Sequence, residues 1–179
     1  HLDVLRFWER AIRRAGLPLS YSQGFTPHPK LAFASPLPVG FTAEREVMDV
    51  TLDERIPPEE FQSRLSAEAT DDLSVVSVQE VALSAPPPQA AMLWGDYRGP
   101  VSPAAKRRRG GEGRGDRVHR YALGAAPASL RATPIDGGVE LTMRLRTDQE
   151  LTARPEAVVT ALFPGASGVK YARTGIVLN

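Results

Sequence analysis

Residues Ser20–Phe41 read "SYSQGFTPHPKLAFASPLPVGF". Four prolines and two glycines in so short a span usually mark a linker, yet Leu31-Ala32-Phe33 follow at once with the composition of a strand. Whether this stretch is linker or part of a folded unit decides how the first half of the chain is built. Pro27 and Pro29 fix φ at their own positions and bias Thr26 and His28 toward extended backbone. The loop is therefore expected to be stiff. It would hold His28 and Lys30 at repeatable positions beside the backbone N–H groups near Gly24, with Ser22 and Gln23 adding neutral hydrogen-bonding groups. Such a set suits an anion, a phosphate or a carboxylate. The competing reading is structural: rigid proline loops also set the register of a strand, and His28 can simply bond a backbone carbonyl.

On the N-terminal side, "LDVLRFWERAIRRA" predicts an amphipathic helix over residues 2–15. Leu5, Trp8, Ile12 and Ala15 fall at helical spacing, with Val4 and Ala11 beside them. Arg6, Arg10, Arg13 and Arg14 take much of the other side, as a solvated face or a phosphate-facing one. Gly16 suits the residue just past the helix, and Pro18 blocks its continuation. On the C-terminal side, "KLAFASPL" and "EREVMDVTLDE" predict two strands. In the second, Met48, Val50 and Leu52 alternate with Val47, Asp49 and Thr51. "PPEEFQSRLSAEAT" predicts a helix that opens on Pro57-Pro58 and buries Phe61 and Leu65. "LSVVSVQEVAL" predicts a further strand.

From residue 84 the character changes. "SAPPPQAA" is a stiff proline segment, and "RGPVSPAAKRRRGGEGRGDR" is too poor in large apolar residues to build a core. Between them "MLWGDYR" has room for a short strand. "RVHRYALGA" and "VELTMRLR" then predict strands, with "ASLRATPI" a weaker candidate closed by "DGG". "RPEAVVTALF" predicts a short helix and "KYARTGIVL" a last strand. The expected organisation is a first unit over 1–83, a linker over 84–116 and a second unit over 117–179.

Composition narrows the function classes. The chain has 179 residues, no cysteine and a formal net charge of +1. Absence of cysteine excludes disulfides, cysteine-held metal clusters and a thiol nucleophile, and it fits a reducing compartment. No apolar run approaches the ~20 residues that span a bilayer, so we expect a cytoplasmic protein with no membrane partner. Beginning at His1 rather than Met, the chain is expected to be a fragment or a processed product. Its three histidines, His1, His28 and His119, lack metal-ligand spacing. Asp49, Glu59 and Glu60 show no pairing for acid–base work. There is no dinucleotide fingerprint and no phosphate loop, and no cofactor is expected. Lys106-Arg107-Arg108-Arg109-Gly110-Gly111 is similar to RGG-type RNA-binding tails, with a solvated linker as the alternative.

His1-Leu2-Asp3, Arg14-Ala15-Gly16-Leu17-Pro18 and Ser22 through Lys30 together resemble the signature of the radical-SAM-linked protein family. This is a bacterial domain of unknown function, found alone or fused to the C-terminus of cobalamin-binding radical SAM proteins. "TARPEAV" (residues 152–158) and "RTGIVL" (residues 173–178) match as well. The resemblance implies an α+β fold of two tandem ferredoxin-like units. The first lacks the strand that family members place before His-Leu-Asp, and the second is degraded. It also implies a radical SAM protein as partner. Without a CxxxCxxC motif, this chain is not itself the radical enzyme. Tandem ferredoxin-like units are similar, by fold analogy, to the RNA-processing endonucleases of CRISPR systems.

The expectation is a non-catalytic accessory domain that binds an RNA or another phosphate-bearing substrate. Its contacts would be Arg10, Arg13 and Arg14, the loop residues Ser22, Gln23, Gly24, His28 and Lys30, and Arg107, Arg108 and Arg109. The alternatives are a module docking on the radical SAM partner and an endonuclease-like protein using His28.

Overall fold

The computed structural model describes residues 2–102, 127–148, 150–163, 166 and 169–179. It is a mixed α+β structure whose chain divides into two compact units. The first comprises residues 1–38 and 47–91, and the second residues 39–46 and 92–179.

The first unit opens with α1 (Leu2–Arg14), which buries Trp8, Ala11 and Ile12. It ends as its sequence dictates. Gly16 adopts φ +65°, the Gly16 N–H bonds the Arg13 carbonyl at 3.0 Å, and the Leu17 N–H reaches back to Ile12 at 3.1 Å. This is a Schellman closure, and Leu17 joins Ile12 in the core beneath it. The guanidinium of Arg64 then donates to the Ala15 carbonyl, at 3.0 Å, and to that of Gly16. Strands β1 (Leu31–Phe33) and β3 (Met48–Val50) pair antiparallel, with Phe33 opposite Met48. Met48, Val50 and Leu52 face the core, as their alternation requires. Helix α2 (Pro58–Ser66) starts on a proline and buries Phe61 and Leu65. A four-residue helix, α3 (Pro88–Ala91), closes the unit within the segment expected to be a stiff proline stretch.

The strand expected over "LSVVSVQEVAL" does not form. Leu73 makes only an isolated bridge to Thr70, and residues 74–82 join no ladder. Leu73, Val75 and Val78 nevertheless pack against the core. Alternating apolar residues report which side chains are buried; they do not guarantee a hydrogen-bonding neighbour.

The second unit holds a five-stranded sheet in the order β2-β7-β4-β6-β5. Its members are β2 (Thr42–Ala43), β4 (Met92–Val101), β5 (Pro127–Ile135), β6 (Gly138–Arg146) and β7 (Ala172–Leu178). All neighbours are antiparallel except β2 with β7. Helix α4 (Pro155–Leu162) contributes Val158 and Val159 to the core, against Tyr97, Val101, Leu141, Met143 and Leu145 of the sheet.

Strand β4 lies inside the span expected to be linker, and it is a central strand ten residues long. Its glycines are not breakers. A Cβ on Gly99 would come within 2.7 Å of the Lys170 carbonyl and of the Tyr171 ring, so the strand needs a residue without a side chain there. The expected strand at "RVHRYALGA" lies outside the described residues.

Arg173 of β7 is 1% exposed. Its guanidinium bonds Glu46 at 2.9 and 3.2 Å and lies over the Tyr97 ring, 5.7 Å from the centroid. Burial pushes the Glu46 carboxyl above its ordinary value despite the pull of Arg173.

Two outcomes are expected. Gly16→Ala, forced into a left-handed backbone with Arg64 Nη2 3.0 Å from the new Cβ, should cost about 1–2 kcal/mol and lower the urea midpoint of the first unit. In the second unit, the folded state holds the Glu46 proton more tightly than the unfolded chain does. Stability from this group is therefore complete below its ordinary value of 4.5 and is lost as pH rises through the window above it. Glu46→Gln cannot ionise, so wild type should lose stability relative to this variant as pH rises, in urea titrations from about pH 4 to 7.

Candidate functional site

The proline-rich stretch is a clamped, projecting loop. Tyr21 and Pro29 form an isolated antiparallel bridge at its base. Above it, the Ser22 N–H donates to the His28 carbonyl at 2.8 Å, and the His28 N–H donates to Ser22 Oγ at 2.9 Å. Below it, the Lys30 N–H bonds the Ser20 carbonyl, the Thr51 N–H bonds Lys30, and the Ser20 N–H bonds Thr51, at 2.9 to 3.1 Å. The buried Ser20 hydroxyl also bonds the Asp53 carboxylate. The loop is thus stiffened by its prolines and anchored to β3.

Its tip, residues 23–28, is exposed. Gly24 takes φ +140°, a conformation that side chains disfavour. Among the described residues, the N–H groups of Gln23, Gly24, Phe25 and Thr26 have no acceptor. These are the backbone N–H groups near Gly24 expected to face an anion, whereas those of Ser22, His28 and Lys30 are used within the loop and its base. The side chains of His28 and Lys30 are exposed.

Helix α1 supplies the second element. Arg6, Arg10, Arg13 and Arg14 are all exposed. At about 100° per residue, Arg6, Arg10 and Arg13 fall within an arc of roughly 60°, and at ~1.5 Å per residue they extend about 10 Å along the axis. No described carboxylate pairs with these three. Arg14 differs, being ion-paired to Glu68 at 2.6 Å. Basic charge is concentrated in this part of the unit. Residues 1–38 carry five basic and two acidic side chains, whereas residues 47–91 carry two and nine.

Several arginines of the second unit are committed to carboxylates. Arg144 holds Asp96 through two bonds, at 2.7 and 2.8 Å, Arg98 holds Glu44, and Arg146 holds Asp148 and Glu150. A shallow depression of about 290 Å³ lined by Leu93, Trp94, Arg146 and Asp148 sits on this unit. Asp148 is fully committed: it accepts from the Leu151 and Glu150 amides and from Arg146, and the Leu151 amide leads in holding its carboxyl below the ordinary value. Charges already neutralised at contact distance have little left for an external anion.

The site therefore rests on a stripe of arginines and a rigid loop in one unit, both near the N-terminal end of the chain. That end decides the family. The chain belongs to the bacterial family described as "Uncharacterized protein conserved in bacteria (DUF2344)". The family model matches residues 1–118, which include the first unit, β4 and all the candidate residues. No curated protein matches the chain.

Arg107, Arg108 and Arg109 lie outside the described residues. Among the described residues no group of three or more His, Asp or Glu side chains is placed to hold a metal ion, and no helix is long and apolar enough to cross a membrane. Two residues were not among the expected contacts. Arg6 completes the stripe and was visible at four residues before Arg10. Phe25 stands exposed at the loop tip, where no periodicity marks a side chain as inward or outward.

Removing the clamp should loosen the loop without disturbing the core. Ser22→Ala deletes the acceptor of the His28 N–H, a bond of about 0.5–1.5 kcal/mol. Amide hydrogen exchange at His28 should accelerate about fivefold, while exchange at Ile12 stays unchanged.

Proposed function

We propose that this chain is an accessory domain that binds an RNA or another phosphate-bearing ligand through its first unit and works with a radical SAM enzyme. Arg6, Arg10 and Arg13 would neutralise phosphates, and the Ser22–Lys30 loop would add a fixed set of donors. The reading rests on one contrast. Arg98, Arg144 and Arg146 of the second unit's sheet are paired with carboxylates, while Arg6, Arg10 and Arg13 on one stripe of α1 are not. An unpaired guanidinium keeps its full charge and its five donors for an external partner.

The radical SAM link is supported by the resemblance of the opening forty residues. The ferredoxin-like reading draws support from the second unit, where four antiparallel strands run in the order β7-β4-β6-β5, with α4 between β6 and β7. A split βαβ arrangement has this order. In the first unit the helix, paired strands and second helix follow the same sequence of elements. His28 enters as a phosphate donor rather than as an acid or base.

The test is binding of a labelled single-stranded RNA from about 50 to 250 mM salt. Each phosphate neutralised on a single strand contributes about 0.7 to the slope of log K against log salt. Arg6→Gln/Arg10→Gln/Arg13→Gln should weaken binding and flatten the slope by about 2. Arg98→Gln/Arg144→Gln/Arg146→Gln, an equal change of formal charge at paired arginines, should leave the slope as in wild type. Equal slopes for wild type and the α1 variant would reject the reading, as would a wild type that does not bind.

A further inference from the structure

Phe25 is fully exposed, at 111% of its reference area. Every other described aromatic side chain is buried or half-buried, including the remaining five phenylalanines. A lone exposed apolar residue on a mobile loop would need no explanation. This one crowns a loop clamped by two Ser22–His28 bonds and stiffened by Pro27 and Pro29. The fold therefore spends backbone order on holding an aromatic ring out in water. The ring has exposed cationic or donor side chains, His28 and Lys30, within five residues of it and unpaired arginines in the same unit.

We infer that Phe25 is a base-stacking residue, and that the polynucleotide this unit takes is single-stranded. Sequence-tolerant binding of single strands combines cations that follow the backbone with aromatic rings on which bases stack. A duplex keeps its bases stacked on one another and offers Phe25 no open base face. Because the loop is already ordered, little further freedom is lost when a base settles on the ring. The inference rests on the phosphate-binding reading of the first unit and adds to it the strandedness of the ligand.

The test compares wild type, Phe25→Ala and Phe25→Tyr, each with a labelled single-stranded RNA and with the same RNA annealed to its complement, over a salt series. Phe25→Ala should weaken binding of the single strand roughly 5- to 150-fold, the range for loss of one stacked base. The salt slope should not change, since no phosphate contact is removed. Phe25→Tyr, which keeps the ring, should bind like wild type, and duplex binding should not respond to either substitution. Thermal melting of Phe25→Ala should match wild type, because the ring supports no core contact. If Phe25→Ala binds the single strand as wild type does, or weakens duplex binding equally, the stacking role is wrong while phosphate binding stands. If wild type binds neither RNA, both readings fall.

Discussion

Three backbone hydrogen bonds form a closed circuit through Ser20, Lys30 and Thr51: Ser20 donates to Thr51, Thr51 to Lys30, and Lys30 to Ser20. Much of the first unit depends on this circuit. It fixes where the chain goes after α1, where the proline-rich loop leaves and returns, and how that loop joins β3. The short strands β1 and β3 would be a marginal pair by themselves, since an isolated two-stranded ribbon has little stability in water. The circuit extends their pairing into a third segment, and the Ser20–Asp53 bond secures it from the side-chain layer. The dense prolines of residues 27–38 therefore belong to a folded unit.

Local chemistry was legible in the sequence wherever one segment contains both the cause and the effect. Gly16 after an amphipathic run predicts the end of α1, and Pro57-Pro58 followed by acids predicts the start of α2. The alternation of Met48, Val50 and Leu52 predicts which face of β3 is covered. What stayed illegible depends on distant partners. Residues 73–83 have a strand's pattern, but no neighbour supplies a ladder. Strand β4 reads only as the short candidate "MLWGDYR", which stops before Gly99, because nothing nearby announces that Tyr171 will lie against Gly99. The same holds for the candidate site. The arginines of α1 are plain in the sequence, but the loss of Arg14 to Glu68 is set by a contact spanning 54 residues. Phe25 carries no pattern at all, and only its exposure sets it apart.

Both units hold arginines paired with carboxylates, but the unpaired stripe on α1 belongs to the first. On the sheet, Arg98, Arg144 and Arg146 lie beside carboxylates, and the surface ion pairs they form add little stability in water. They do cancel the field that would draw an anion. Arg173 shows the other extreme: buried beside Glu46 and over Tyr97, it is a structural element, and losing one partner of a buried pair costs far more than losing an exposed one. On α1, Arg6, Arg10 and Arg13 have no such obligations. Near them in sequence is a loop whose own donors and aromatic ring point outward. The distribution of paired and unpaired charge, more than the total, gives the first unit its direction.

The segment Val39–Glu46 belongs to the second unit although it is inserted in the β1–β3 connection of the first. Its strand β2 pairs with β7, near residue 172. During synthesis this has a temporal consequence. At about 5–20 residues per second, the first unit's residues are all made roughly 4–16 s before β7 emerges. For that interval the β1–β3 hairpin must hold a loop whose destination has not yet been translated. Glu46 waits as a solvated carboxylate and becomes buried only when Arg173 arrives. Separating the two units by a single cut would leave that waiting state permanent, so the boundary between them is a matter of timing on the ribosome as much as of position in the chain.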